Sequence, residues 1–177
     1  MQKRIDNIYI AGFMACGKTV VGQCLAELLD RPFVDTDARI AQETGLSITD
    51  IFQIHGEAHF RHLEKRCLQA IAGQNGQVVA LGGGVVLDDV NWDLLRRSGR
   101  TIVLSFPAEI LNERLKDVTD RPLLAGTEGQ ARLDCIRDLL TKRENAYRKA
   151  DIFLHLNNDL PPDRIARMMA ALLEEMP

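Results

Sequence analysis

The sequence predicts a single α/β domain, residues 1–177, centred on a five-stranded parallel sheet. Short apolar runs rich in β-branched residues alternate with longer segments of helical period, which is the pattern of repeated βαβ units. One core suffices at 177 residues, because a chain of this length buries roughly 70% of the surface that its unfolded form exposes. The content of 46% hydrophobic and 27% charged residues excludes disorder, collagen and coiled coils.

Three strands and four helices are predicted in the first half of the chain. The strands are the apolar runs NIYIA, PFVD and VVAL, at residues 7–11, 32–35 and 78–81. The helices lie at residues 18–29, 38–43, 48–55 and 57–72. A capping box of Ser47 and Asp50 begins the third helix, and Gly56 and Gly73 end the third and fourth. Because a βαβ crossover needs only one helix, residues 37–72 are predicted to be a helical insert.

Two strands and four helices are predicted in the second half. The strands lie at residues 101–106 and 151–156, and the helices at residues 90–97, 108–116, 132–149 and 162–175. Gly99 ends the first of these helices, and Pro107 and the pair Pro161 and Pro162 fit first turns. The segment at 118–130 has little periodicity and exceeds a usual connection, so it is either a mobile lid or an ordinary surface loop.

Charge and hydropathy restrict the partners of the chain. The 22 Lys and Arg against 25 Asp and Glu give a formal net charge of −3, so we expect binding to neither nucleic acid nor membranes. No signal sequence and no run of about 20 apolar residues is evident, which predicts a cytoplasmic protein, and we expect a monomer. The four cysteines form no C-x-x-C pair and are expected to be reduced.

Residues 12–19, GFMACGKT, match the phosphate-binding pattern G-x-x-x-x-G-K-[ST], with a predicted strand before them and a helix after. Such a loop points successive backbone N–H groups at a polyphosphate. We expect Lys18 to reach the β and γ phosphates of ATP, and the Thr19 hydroxyl to bind Mg²⁺. The predicted nucleotide-binding set is Gly12, Ala15, Cys16, Gly17, Lys18, Thr19 and Val20.

The aspartate that usually helps a phosphate loop to hold Mg²⁺ ends a hydrophobic strand, but here VVAL is followed by glycine and TIVLSF by proline. We therefore expect the second Mg²⁺ ligand elsewhere in the chain. The second strand ends FVDTD, which brings Asp35 and Asp37 to the carboxyl edge of the sheet. On extended backbone their i, i+2 spacing points both carboxylates the same way. One would hold Mg²⁺ through water and the other would orient a hydroxyl proton; the alternative is that Asp37 caps a helix.

Three further features are compatible with an anion or polyol pocket. Gly82, Gly83 and Gly84 follow a buried strand, although a glycine cluster is also typical of a flexible turn. Arg61 and Arg143 lie on predicted helices, and for each the alternative is a surface salt bridge worth about 0.3–0.5 kcal/mol. Each feature is weak by itself.

Taken in order, the motifs resemble the shikimate kinase family over nearly the whole chain. They are GFMxxGKT, FVDTD, IFxxxGExxFRxxE at residues 51–64, VVALGGG at 78–84, RPLL at 121–124 and RxxxYxxxAD at 143–151. The pairing of FRxxE with GGG distinguishes this pattern from gluconate kinases and nucleoside monophosphate kinases. The resemblance implies a P-loop kinase fold of three layers, with the insert binding substrate and the segment at 118–130 acting as a lid.

The resemblance also implies the roles of individual residues. ATP phosphates would bind at residues 12–19, Thr19 and water-linked Asp35 would hold Mg²⁺, and Asp37 would bind the ring hydroxyls of shikimate and serve as base. Arg61 and Arg143 would bind the carboxylate of shikimate, and the Gly83 backbone would hold a hydroxyl, with Gly82 and Gly84 completing the substrate-binding set. The remaining implied groups are Arg121, which would close over the phosphates, and Arg114 with Pro161 or Pro162 around adenine.

The chain departs from the family pattern at Ala15 and Cys16, where glycine and serine are usual. A Cβ at Ala15 would cost about 1 kcal/mol if the loop needs a left-handed conformation there. Cys16 is either a reactive thiol or an inert small residue. Two other functions stay open: a kinase for a related carboxylated polyol, such as an aminoshikimate or gluconate, and a nucleotide-binding regulatory module without catalysis.

Overall fold

Five parallel strands form one sheet in the computed structural model, which describes residues 6–116, 118, 122–124 and 126–176. The strands are β1 (Asn7–Gly12), β2 (Phe33–Asp35), β3 (Val78–Ala80), β4 (Gly99–Ser105) and β5 (Ile152–His155). Their spatial order is β2-β3-β1-β4-β5, and every neighbouring pair is parallel. The predicted sheet is confirmed strand by strand, with each strand end within two residues of the predicted one.

Seven helices surround the sheet in the described part of the chain. They are α1 (Lys18–Leu28), α2 (Thr36–Thr44), α3 (Ile48–Ala72), α4 (Asp89–Ser98), α5 (Ala108–Arg114), α6 (Gly129–Tyr147) and α7 (Pro162–Glu174), with 3₁₀ turns at Val85–Leu87 and Pro122–Leu124. Gly56 has φ 80° and ψ 170°, so α3 is two helical segments that meet there, as the sequence predicts. No helix in these described ranges is long and apolar enough to cross a membrane.

The two faces of the sheet carry separate apolar clusters, because side chains alternate between the faces along each strand. On β1, Ile8 and Ile10 join one cluster with residues of α1, α5, α6 and α7. Tyr9 and Ala11 join the other cluster with residues of α2, α3 and α4. The predicted three-layer arrangement is therefore confirmed.

The carboxyl ends of the strands meet at one edge of the sheet, where the functional residues collect. The chain passes from β3 to β4 across β1, so the order of strands reverses beside β1. In open α/β sheets, ligands bind in the crevice at such a reversal point. The loop after β1, the start of α2 after β2, and the glycines after β3 all lie at this edge.

The extended-backbone argument for Asp37 is wrong. Helix α2 begins at Thr36, directly after β2, and Asp37 lies in its first turn. The side chains of Asp35 and Asp37 are therefore separated by the transition from strand to helix rather than aligned along one strand.

Candidate functional site

The loop at residues 12–19 wraps tightly between β1 and α1. A Cβ on Gly12, whose φ is 149°, would come 2.6 Å from the Leu104 carbonyl oxygen, so only glycine fits this position. Lys18 Nζ donates to the carbonyl oxygens of Gly12 (3.1 Å) and Phe13 (2.9 Å), which holds the ammonium group across the loop. Gly17 caps α1 with no side-chain hydrogen bond, so the helix N-terminus is suited to an anionic ligand.

Ala15 has φ 59°, in the left-handed region. The left-handed conformation on which the predicted cost of Ala15 depends is therefore present, and the Cβ costs about 1 kcal/mol there. Cys16 is only 1% exposed, which favours the inert alternative over a reactive thiol. Val20 lies just beyond the loop with its side chain half exposed.

Thr19 and Asp35 meet at the edge of the sheet. The Thr19 hydroxyl donates to Asp35 Oδ2 at 2.7 Å. Asp35 Oδ1 accepts from the backbone N–H groups of Asp37 (3.0 Å) and Ala38 (3.2 Å), so Asp35 is the N-cap of α2. The alternative that Asp37 caps this helix is therefore wrong.

Gly82 brings two carboxylates together. A Cβ at this position would overlap the carboxylate of Asp37 and would lie 2.8 Å from Glu64 Oε1. The Gly82 N–H donates to the Thr36 hydroxyl at 2.7 Å, which ties the backbone after β3 to the first turn of α2.

Two arginine side chains lie close to the backbone of Gly83 and Gly84. A Cβ at Gly84 would overlap the Arg61 guanidinium, and one at Gly83 would lie 3.4 Å from Arg143 Nη1. Neither glycine has a positive φ, so both positions need the absence of a side chain rather than conformational freedom. The flexible-turn alternative does not explain these contacts.

Arg61 lies in α3 between two acids. Its guanidinium pairs with the exposed Glu57 at 3.0 Å and with Glu64, which is 2% exposed. Burial raises the pKa of Glu64 to about 7, although the charge of Arg61 opposes this rise. The ion pair with the exposed Glu57 matches the surface salt-bridge alternative for Arg61. The ion pair with Glu64 does not, because the Glu64 carboxylate is buried.

Arg143 is a buried cation. It is 6% exposed, and its Nη1 has no hydrogen-bond partner among the residues that the structure describes. Burial without a partner is costly for a charged donor, so this nitrogen points to an anionic ligand. The surface salt-bridge alternative is wrong for Arg143.

Arg114 joins the phosphate loop to the segment before α7. It donates to the Ala15 carbonyl oxygen at 3.0 Å and to Asp159 Oδ1 at 2.5 Å, and it stacks 4.2 Å from the centre of the Phe106 ring. The exposed Pro161 caps α7 two residues after Asp159. Both predicted adenine-side positions are therefore on the same side of the loop.

Arg121 lies outside the described residues, as do several positions of the segment at 118–130. Within the described part of that segment, Leu124 is buried in the apolar cluster beside α6 and Leu123 is half exposed. Whether the segment is a lid or an ordinary loop stays a prediction.

Glu64 and Phe13 are site residues that the sequence-based assignment misses. Glu64 is the acid of the FRxxE motif, three residues after Arg61, and that helical spacing was an available signal. Phe13 occupies a variable position of the phosphate loop, and nothing in the sequence places its ring against Arg143.

Comparison with known proteins gives a consistent result. A model of the shikimate kinase family matches residues 14–174. Shikimate kinase of Synechococcus sp. (strain CC9605) is 41% identical, with 99% of this chain and 89% of that protein covered. Shikimate kinase of Sulfurihydrogenibium sp. (strain YO3AOP1) is 36% identical, with 95% and 98% covered. The solved structure of Acinetobacter baumannii shikimate kinase in complex with shikimate is 34% identical, with a TM-score of 0.88 and 96% and 93% covered.

Proposed function

Because this chain belongs to the shikimate kinase family, it phosphorylates shikimate with ATP, and we propose that the loop at residues 12–19 holds the nucleotide while the groups above residues 82–84 hold the acceptor. One observation carries the acceptor assignment. Arg61 from α3 and Arg143 from α6 converge on Gly84 and Gly83. Two guanidinium groups that meet from different helices suit a planar carboxylate, which each can bind by parallel hydrogen bonds.

Thr19 and Asp35 are proposed to hold Mg²⁺. Their oxygens are of the hard type that Mg²⁺ binds, and they already lie 2.7 Å apart. In the described part of the chain, no group of three or more His, Cys, Asp or Glu side chains could hold a metal by itself. Mg²⁺ is usually bound by one or two carboxylates together with substrate phosphates, and Asp35 would supply the carboxylate here. When bound, the ion would neutralise charge on the phosphates.

Asp37 is proposed to be the base. As the 3-hydroxyl oxygen of shikimate bonds to the γ-phosphorus of ATP, its proton passes to the Asp37 carboxylate, and the bond from the γ-phosphorus to the bridging oxygen breaks to release ADP. Lys18 stabilises the charge on the transferring group from the loop. By the resemblance, Arg121 would also stabilise the charge on the transferring group, and that role is proposed from sequence alone.

Arg114 and Pro161 are proposed to border the adenine. The Arg114 guanidinium is held flat by Phe106 and tied to the Ala15 carbonyl oxygen, so it presents a planar cation beside the nucleotide loop. Such a face stacks on an aromatic base.

An ATP-consumption assay tests the proposed acceptor. We expect turnover with shikimate, little with gluconate, and none above background without an acceptor. Turnover with gluconate alone would identify a different polyol kinase, and no turnover with any acceptor would favour a regulatory module.

Substitution of the two arginines tests the proposed site. Arg61→Met and Arg143→Met keep much of the side-chain bulk and remove the charged hydrogen bonds, so each should cost about 2–4 kcal/mol in kcat/KM for shikimate. Arg148→Met, at the exposed end of α6, is the matched control and should leave kcat/KM unchanged. Normal shikimate turnover in both site variants would place the carboxylate elsewhere.

A further inference from the structure

The phosphate loop contributes an aromatic ring to the acceptor side of the site. Phe13, the second residue of the loop, is 1% exposed, and the central carbon of the Arg143 guanidinium lies 5.1 Å from the centre of its ring. A cation above an aromatic face is attracted most strongly when both groups are buried, as here. A loop residue therefore supports an arginine that α6 carries.

In the described ranges no hydrogen bond fixes Nη1 of the Arg143 guanidinium, and Gly83 beside it has no side chain. A guanidinium binds a carboxylate well only when its plane is fixed, because the two parallel hydrogen bonds need a defined geometry. The ring of Phe13 supplies a flat surface that fixes this plane.

Tyr147 lies one turn after Arg143 on α6 and is 5% exposed. Burial raises the pKa of its hydroxyl, and the charge of Arg143 opposes this rise. The last turns of α6 therefore carry two buried polar side chains, of which Arg143 lies against the Phe13 ring.

We propose that Phe13 is a positioning residue for the acceptor: its ring holds the Arg143 guanidinium in the orientation that binds the carboxylate of shikimate. This inference rests on the proposed role of Arg143. Because Phe13 belongs to the phosphate loop, a nucleotide bound in the loop restrains Phe13 and, through its ring, Arg143. Nucleotide and shikimate then strengthen each other's binding, by the same factor in both directions.

Phe13→Leu is the test, because leucine keeps an apolar side chain and removes the aromatic face. Titration calorimetry gives the Kd of shikimate for the free protein and for protein saturated with Mg-ADP. In the unmodified protein we expect ADP to tighten shikimate binding about fivefold or more. In Phe13→Leu, shikimate binding to the free protein should weaken about five- to thirtyfold, and the effect of ADP should nearly vanish.

Phe33→Leu is the matched control. The Phe33 ring packs near Gly22, in the same apolar cluster, and belongs to β2 rather than to the phosphate loop. This variant should keep both the shikimate Kd and the effect of ADP. The proposal is overturned if Phe13→Leu retains the effect of ADP, or if Phe33→Leu weakens shikimate binding as much as Phe13→Leu does. Circular dichroism confirms folding, and Phe13→Met replaces Phe13→Leu if the leucine variant is unfolded.

Arg143→Lys separates this inference from the proposed function. Lysine keeps the positive charge and loses the flat guanidinium, so shikimate binding should weaken, and adding Phe13→Leu should cause little further loss because both changes act on one interaction. Intact shikimate binding in Arg143→Lys would contradict the role of Arg143 itself. Weak binding in Arg143→Lys with intact binding in Phe13→Leu would overturn the role of Phe13 alone.

Discussion

Ala15 strains the phosphate loop, since it is an L-residue with a Cβ at φ 59°. Ala15→Gly should raise the free energy of unfolding by about 0.5–1 kcal/mol, because relief of the left-handed strain exceeds the added flexibility of the unfolded chain. Urea denaturation measures the free energy, and titration with ADP shows whether the relaxed loop binds nucleotide more tightly, as we expect.

Asp30→Gly is the control for this prediction. Asp30 also has a positive φ, 52°, but it follows α1 and is distant in sequence from the loop. Asp30→Gly should change the free energy of unfolding without changing the affinity for ADP. If Ala15→Gly lowers the free energy of unfolding, the loop is not strained at this position.

Glu64 should make stability depend on pH. Its pKa in the folded protein is about 7, above the ordinary value of 4.5, because burial disfavours the charged form. Between these two values the folded state binds more protons than the unfolded state, so this carboxyl stabilises the fold at low pH and loses that contribution as pH rises toward 7.

Glu64→Gln removes this titration. Thermal melts at pH 5 and at pH 7.5 give the Tm of the variant minus the Tm of the unmodified protein. This difference should be more positive at pH 7.5 than at pH 5. Glu57→Gln changes the exposed partner of the same arginine and should show no such difference. A Tm difference for Glu64→Gln that is independent of pH would contradict the prediction.

Single residues show where sequence reasoning stops. The phosphate loop is predictable because its pattern is local, whereas the left-handed conformation of Ala15 is known only from the structure. The division of roles between Asp35 and Asp37 is not predictable from spacing, because it depends on α2 beginning at Thr36. The burial of Arg143 depends on contacts with a loop 130 residues earlier in the chain, to which no local signal points.

At the scale of elements, the turn after β3 depends on missing side chains. Gly84→Ala should displace the Arg61 guanidinium and lower kcat/KM for shikimate about 10- to 100-fold while the fold survives. Steady-state kinetics measures this loss. Gly73→Ala is the control, because a Cβ there meets only ordinary contacts at 3.5 Å and beyond. Unchanged kinetics in Gly84→Ala would show that Arg61 can move without cost.

The elements themselves were largely predictable. The capping box at Ser47 is present, with the Ser47 hydroxyl accepting from the Asp50 N–H at 3.0 Å, and Gly56 separates the two segments of α3. The least accurate bound is the start of α6, which is Gly129 rather than residue 132. Residues 129–131 carry no apolar periodicity, so the signal on which the prediction depends begins later.

At the scale of the whole molecule, the site is a product of topology. Parallel strands bring the ends of β1, β2 and β3 to one edge, so motifs that are far apart in sequence become neighbours. This much follows from the predicted order of strands and helices. The approach of α6 to the phosphate loop does not follow from this order, because the order of elements does not determine the angles at which helices pack.

The expectation of a monomer is a prediction at this scale too. Sedimentation equilibrium should give a mass near 19.8 kDa across protein concentrations. A mass that doubles with rising concentration would contradict it.

The hydrogen bonds of Lys18 to the loop carbonyls affect the thermodynamics of nucleotide binding. A free lysine side chain loses up to about 2 kcal/mol of rotamer entropy when it is immobilised. Here part of that freedom is lost when the protein folds, because the ammonium group donates to the carbonyl oxygens of Gly12 and Phe13. Lys18 is therefore preorganised by the fold, and the polyphosphate meets a cation whose ordering subtracts little from its affinity.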